Sequence, residues 1–447
     1  MTFFSRRLPL VAALLTLLLF GARGQDSLHF RLRQAVSRGL DSSTSVALSA
    51  AAVREAVARY EQARDHALPQ IKVSYMASEA FIPTQTLQIP GLMKNPVRLP
   101  ATSMVDLGTL SIDEPIFAGH KLRYAKESAR LLERVASLKD SSATRQVMLA
   151  LIHSYINLYE IDENLKITAR NLSDIQGRLQ ETLKFRDQGL ATENDVLRFQ
   201  LQKANVELTR IDLQHNRAVA NEAMDVLLGL NDSTVVVVDS TAREPATAPS
   251  LDSLVAVALA RRGDLAAYRY QDSVSAIHIR DIKAGKLPVL GAGLTTYYLN
   301  PNKKFFPPAH SFLVPVTLGL NASWNIAALY TTRHKVAEAV VQREEVHLEQ
   351  RATSQKIRRE VTQGYHGYLQ ALQKIQVLHA AVAQATENDR IMELKYRNQL
   401  ATTTDRIDAE TMLYQSLVNL ALAKADAALA WYSLQQATGS LSLSQLP

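Results

Sequence analysis

The sequence predicts a mainly α-helical chain that lends four strands to a membrane β-barrel and devotes the rest to long coiled-coil helical hairpins. Three observations predict it. The stretch 311–324 alternates from Val314 onward, with Val314, Val316, Leu318, Leu320, Ala322 and Trp324 apolar and Pro315, Thr317, Gly319, Asn321 and Ser323 small or polar between them. Long segments, 121–241 and 325–446, contain no proline and carry heptad spacing. The second half of the chain retraces the first.

The alternation comes first because it fixes where the chain resides. Side chains on a strand point to opposite faces in turn, so 314–324 has one greasy face and one small, polar face. A strand of about ten residues of this kind, ending in an aromatic, suits a transmembrane barrel. Two more stretches alternate well enough to join it. Ile71, Val73 and Tyr75 share one face of 70–81, and 289–298 is strand-like with a small-residue pair, Gly291 and Gly293, suited to a crowded wall. A fourth candidate, 104–114, alternates poorly, with Leu107 on one face and Leu110 and Ile112 on the other.

In chain order, Arg6 and Arg7 precede an apolar run from Leu8 to Phe20 and the small residues Ala22 and Gly24. This pattern predicts an export signal over 1–24, cleaved before Gln25. The run is too short to span a bilayer as a helix, which takes about 20 apolar residues. The 447 residues include no cysteine, so neither a disulfide nor a lipid anchor on an N-terminal cysteine is expected. The formal charge of +7 falls by three with the signal's arginines, and that is too little to suggest nucleic acid as a partner. Residues 27–67 read as helix, stopped at Leu68-Pro69. Between the first two strands lies a loop with Pro83, Pro90, Gly91, Pro96 and Pro100.

Residues 147–182 sustain a heptad seam: Val147, Leu151, Ser154, Leu158, Ile161, Leu165, Thr168, Leu172, Ile175, Leu179 and Thr182. It breaks near 185–194. Gly189 suits the left-handed position that ends a helix, and Thr192 or Asn194 can cap the next one, with Glu193 and Asp195 favourable near its N-terminus. This is a hairpin tip. The return helix is expected to pack through Leu197, Leu201, Ala204, Leu208 and Ile211 and to end at Leu228-Gly229. Val235–Val238 is a short buried strand candidate. Helices are expected at 251–261 and 264–285.

Leu287-Pro288 matches Leu68-Pro69 at an offset of 219, and Asn325-Ile326-Ala327 matches Pro115-Ile116-Phe117 at 210. Tyr396-Arg397-Asn398-Gln399 matches Phe185-Arg186-Asp187-Gln188 at 211. Ordered landmarks at nearly constant offset indicate a duplication. Repeat 1 covers 25–240, with a strand hairpin at 70–114 and its tip near 185–194. Repeat 2 covers 241–447, with a linker and helices, a strand hairpin at 289–324 and a tip near 396–404. Its long helix carries a second seam: Ile357, Val361, Gly364, Tyr368, Ala371, Ile375, Leu378 and Val382. Four strands cannot close a barrel, and open edges in lipid are costly. The chain must therefore oligomerise. Three copies give about twelve strands above a helical tube; closure alone allows other copy numbers.

With the export signal, the duplicated strand and helix hairpins, Pro115-Ile-Phe-Ala-Gly119, Arg186-x-x-Gly189-Leu190-Ala191-Thr192 and Leu227-Leu228-Gly229, the mature chain resembles the TolC-like outer-membrane efflux protein family, the outer membrane factors. The resemblance implies a homotrimer in the outer membrane of a Gram-negative-type bacterium, with a twelve-stranded barrel and an α-helical periplasmic tunnel. It implies an exit duct of a tripartite efflux pump or type I secretion system, served by an inner-membrane transporter and a periplasmic adaptor. It implies no chemistry and no cofactor. The tips, Arg186, Gly189, Leu190, Ala191 and Thr192 with Arg397, Leu400, Ala401 and Thr402, match the zone that adaptors recognise, although the second tip lacks the glycine of the first. Asp405 and Asp408 resemble the acidic pair lining the closed periplasmic end, where a ring of like charge would attract cations. As ordinary helix residues they would instead complement a helix N-terminus, and Arg406 between them could neutralise one.

An enzyme reading finds no support: there is no His-Glu-x-x-His, no phosphate loop and no Gly-x-Ser-x-Gly, and the histidines are scattered. No metal site is expected. The alternative is a periplasmic adaptor or other exported coiled-coil scaffold, which would not need two alternating strand pairs.

Overall fold

The computed structural model describes residues 27–447 except 82, 84–85, 89, 92–93, 99–101, 232–233, 240–248 and 302–313. The expected export signal and residues 311–313 of the alternating stretch lie outside the described residues. In order, the elements are β1 (Ser27–Phe30), α1 (Leu32–Ser42), α2 (Thr44–Asp65), β2 (Gln70–Phe81), β3 (Thr86–Leu87), β4 (Val97–Arg98), β5 (Thr102–Phe117), α3 (Lys121–Asp187), α4 (Glu193–Leu228), β6 (Val235–Val238), α5 (Leu251–Arg261), α6 (Gly263–Ala284), β7 (Val289–Pro301), β8 (Val316–Ser323), α7 (Ala328–Arg397) and α8 (Thr403–Ala437). A short 3-10 turn, Leu443–Gln445, follows. They cluster into two compact units, one of Met1–Ala50, Lys139–Ala266 and Ala352–Pro447, the other of Ala51–Leu138 and Ala267–Arg351. Each unit draws on both sequence repeats.

The second unit holds a four-stranded antiparallel sheet in the order β2-β5-β7-β8, so the two predicted hairpins join through β5 and β7. The register aligns the alternation of all four strands. Ile71 and Val73 stand beside Ile112 and Leu110, these beside Leu294 and Thr296, and these beside Leu318 and Val316. The opposite face runs Lys72 and Ser74, Ser111 and Thr109, Thr295 and Tyr297, and Thr317. The apolar face is uncovered within one chain: Val73 and Leu318 are each 78% exposed and Leu320 82%. The glycines fall where the wall is crowded. A β-carbon on Gly291 would sit 2.5 Å from Asn321 Oδ1, and one on Gly293 would sit 2.9 Å from Asp113 Oδ1. β5 runs three residues beyond its expected end, through Pro115, with a bulge between Pro115 and Phe117. A proline has no amide to give a ladder, and a bulge is where a sheet accepts one.

The first unit is built on α3. Leu151, Ile152, Tyr155 and Leu158 pack with Leu32, Ala35 and Val36 of α1, Met224 and Leu228 of α4 and Val236 of β6. β1 and β6 pair in parallel. Tyr155 fastens them, accepting from the Asp239 N–H at 2.9 Å and donating to Phe30 O at 2.8 Å. Burial pushes its hydroxyl up to about 12. Asn221 holds β6 from α4, with Oδ1 accepting from Val236 N–H at 2.9 Å and Nδ2 donating to Thr234 O at 2.7 Å. β1 corrects the helix expected from residue 27: four residues carry no usable period, and their partner lies two hundred positions away. Ile357, Val361 and Tyr368 of α7 form a second core with Ala258, Leu265, Leu434 and Ala437, along the expected seam.

The return seam is also corrected. Leu197, Leu201, Leu208 and Ile211 are exposed, and Val196, Phe199 and Val206 are buried instead. Val206 meets Leu172 and Ile175 of the outgoing seam. α4 carries two apolar stripes at helical spacing, and spacing alone does not say which one faces its own chain.

Candidate functional site

The two tips have one geometry. At the first, α3 ends at Asp187 and Gly189 takes φ +72°. Its N–H donates to Arg186 O at 2.8 Å, and Leu190 N–H to Phe185 O at 2.8 Å. Thr192 then caps α4: its hydroxyl accepts from Asp195 N–H, and the Asp195 carboxylate accepts from Thr192 N–H at 2.8 Å. This is a reciprocal capping box, satisfying two otherwise orphan donors. At the second tip, Gln399 takes φ +60°. Its N–H donates to Tyr396 O at 3.0 Å and Leu400 N–H to Lys395 O at 2.8 Å, and Thr402 and Asp405 form the same box. The missing glycine therefore leaves the turn unchanged; Gln399 bears the left-handed strain instead. Gln399→Gly is expected to raise the stability of this tip by about 1 kcal/mol, which thermal unfolding would read.

Leu190 and Leu400, at equivalent places, project 53% and 76% exposed. Arg186 pairs with Asp187 and Glu193, and Arg397 with Glu393. Around them the two hairpins are laced together. Arg198 donates to Thr404 at 2.9 Å, Arg178 reaches Glu393 at 3.0 Å, and the Thr182 and Tyr396 hydroxyls lie 3.3 Å apart. Tyr396 also meets the Phe199 ring edge-on. Burial pushes the Asp195 carboxyl up, but bonds from Thr403 and Thr192 outweigh it and hold it below its ordinary value.

Asp405 and Asp408 are both exposed and one turn apart on α8. Asp405 is occupied in the cap, and the Thr402 hydroxyl and amide hold its carboxyl below the ordinary range. Arg406 neutralises neither. It is buried, pairs with Asp389 of α7, and brings Nη2 to 3.9 Å from Glu410. Glu410 is a functional candidate that sequence reasoning missed. Burial pushes its carboxyl up to about 7, Arg406 opposing. Among the described residues, Glu410 Oε1, Arg406 Nε and both polar atoms of the Asn171 amide have no hydrogen-bond partner. Asn171 and Glu410 line one cavity of about 260 Å³ with Asp174 and Tyr414. The sequence signal was an Arg and a Glu four apart among alternating apolar positions, indistinguishable from a surface pair.

Among the described residues, no group of three His, Asp or Glu could hold a metal ion, and no helix is long and apolar enough to cross a membrane.

Residues 254–440 match the family model described as outer membrane efflux protein. No curated protein matches the sequence. Solved structures match over nearly the whole chain. The outer-membrane channel OprN has a TM-score of 0.74 at 19% identity, covering 92% of this chain and 90% of its own. The outer membrane protein VceC of Vibrio cholerae has a TM-score of 0.75 at 18% identity, covering 91% and 96%. The CmeC outer membrane channel of Campylobacter jejuni has 0.75 at 14%, covering 93% and 88%. Residues 254–440 thus resemble the outer membrane efflux proteins, and the fold of the chain is that of the solved TolC-like outer-membrane channels.

Proposed function

We propose that this chain is the exit duct of a tripartite efflux pump or type I secretion system, a homotrimer that passes substrates from an inner-membrane transporter to the exterior. One observation carries the reading: a four-stranded sheet whose middle presents an exposed apolar face and whose outer edges on β2 and β8 are unpaired among the described residues. Lipid tolerates such a sheet only if copies join edge to edge into a closed wall. The exposed stripe of Leu197, Leu201, Leu208 and Ile211 on α4 supports the same step, because a neighbouring copy would bury it. Residues 1–24 direct export and are removed. A duct of this kind should require detergent for extraction and run as a stable oligomer that conducts in planar bilayers. Release as a monomer by osmotic shock would favour the scaffold reading.

The tips are the adaptor-docking zone in this proposal, with Leu190 and Leu400 as apolar contacts framed by Arg186, Gly189, Ala191 and Thr192 and by Arg397, Ala401 and Thr402. Gly189→Val should strain the first tip by roughly 1–2 kcal/mol, since open space surrounds the position and only its positive φ resists a side chain. The expected result is weaker crosslinking to the adaptor with the oligomer intact; unchanged crosslinking would remove the tip assignment. Asp405 and Asp408 form the acidic ring of the aperture. Asp408→Asn spares the cap and isolates the charge. It should alter single-channel conductance or block by divalent cations, and the double change with Asp405→Ala should alter it more. No change in either quantity would end the aperture role.

A further inference from the structure

The apolar face of the sheet continues past the last hydrogen bond of its strands and runs onto a band of cations. Trp324 keeps the alternation of Leu318, Leu320 and Ala322 and is 53% exposed. Its indole N–H donates to Lys286 O at 2.9 Å, which moors the ring at the end of α6. Ile326 and Tyr330, 61% and 67% exposed, extend the patch to the start of α7. Cations follow at once. Tyr330, Arg333 and His334 stand at i, i+3 and i+4 on one face of α7, and Arg333 donates to His334 at 3.1 Å. Lys335, the next residue of α7, is exposed, and Lys283 is exposed on the last turn of α6. Lys121 reaches the same place, with its ammonium 3.7 Å from where a β-carbon on Gly285 would lie.

Among the described residues, none of Lys121, Lys283, Lys286, Arg333 and Lys335 makes an ion pair, and the first ion pair along α7 is that of Arg343 with Asp272. The dipole of α7 does not account for Arg333 and Lys335, because the N-terminal end of a helix disfavours positive charge. An exposed tryptophan and tyrosine at the rim of a lipid-facing wall mark the headgroup level. Unpaired cations immediately beyond that level match a layer of phosphate.

We propose that Lys283, Lys286, Arg333 and Lys335, beneath Trp324 and Tyr330, bind the headgroups of anionic glycerophospholipids in the leaflet where the helices leave the barrel. The phosphodiester accepts from the ammonium and guanidinium groups while the acyl chains lie along the apolar face of β7 and β8. Retention should fall by roughly five-fold for each cation removed at such a surface. The proposal rests on the membrane reading above, and the test separates the two.

The purified oligomer, in micelles doped with equal amounts of phosphatidylglycerol and phosphatidylcholine, is weighed by native mass spectrometry. The wild type should retain phosphatidylglycerol preferentially. The variant Lys283→Gln, Lys286→Gln, Arg333→Gln, Lys335→Gln should lose that preference and keep its oligomer. The charge-matched control Arg351→Gln, Arg358→Gln, Arg359→Gln, Lys374→Gln should keep both. Equal retention of the two lipids by the wild type, or an unchanged preference in the first variant, overturns the headgroup site. So does equal loss in the control. A chain that stays soluble without detergent fails earlier and overturns the membrane reading itself.

Discussion

Leu318→Arg and Leu320→Arg should each prevent the oligomer from accumulating in the membrane. Both residues stand near the middle of β8 on the apolar face, with more than three-quarters of their surface open. An arginine facing lipid near the bilayer midplane costs about 2–4 kcal/mol. Closed three-fold, the barrel would meet that cost in every copy, so the loss multiplies. Thr317→Arg tests the same strand from the other side. Thr317 lies beside Thr295 on the polar face, where a charge stays hydrated; this variant should insert normally and change conductance. The measurement is the fraction of protein recovered as detergent-stable oligomer from washed membranes. If Thr317→Arg is lost and Leu318→Arg survives, the faces are reversed.

The contrast explains what could be read from the residues alone. Strands β2, β7 and β8 were legible because the two faces of each strand differ in polarity, and that difference writes a period of two into consecutive residues. The seam from Val147 to Thr182 was legible for the parallel reason on helices. β5 was legible only as the poorly alternating stretch 104–114, and its passage through Pro115 depends on a bulge that no local pattern encodes. The misplaced stripe on α4 has another cause. Leu197 and Val196 both recur at helical spacing, and only the position of α3 and α7 in space decides that Val196, Phe199 and Val206 turn inward. At the second tip, expected near 396–404, the hydrogen bonds from Gln399 and Leu400 and the capping box together impose the turn of the first tip without its glycine. The tip residues were legible as helix breaks and caps; the ion-pair lacing between the hairpins was not, because it joins residues some two hundred positions apart.

Glu410→Gln should flatten the pH dependence of tip stability, and Arg406→Met should steepen the loss at alkaline pH. In the folded chain, burial holds the Glu410 carboxyl up at about 7, with Arg406 pulling it down and Asp389 pushing it further up. Unfolded, it returns to its ordinary value of 4.5. Below that value the group is neutral in both states and costs nothing. Between the two values the unfolded chain ionises while the folded one keeps its proton, so stability falls as pH rises. Above the folded value the full penalty stands, of order 3 kcal/mol. Amide hydrogen exchange across 385–415, corrected for intrinsic rates, should therefore show more protection at pH 5.5 than at pH 8. Glu410→Gln removes the ionisation and leaves Arg406 its bond to Asp389, so protection at pH 8 should rise towards the acid value. Arg406→Met leaves two carboxylates buried without their cation, a change that typically costs about 3–5 kcal/mol. Part of that loss should be recovered at pH 5.5, where Glu410 takes up its proton. A wild-type slope in Glu410→Gln would mean that another group titrates, and that the shared guanidinium between α7 and α8 merely packs. The opposite result gives this end of the helical hairpins a proton-dependent clasp, because its one buried arginine must serve two acids that cannot both be charged at low cost.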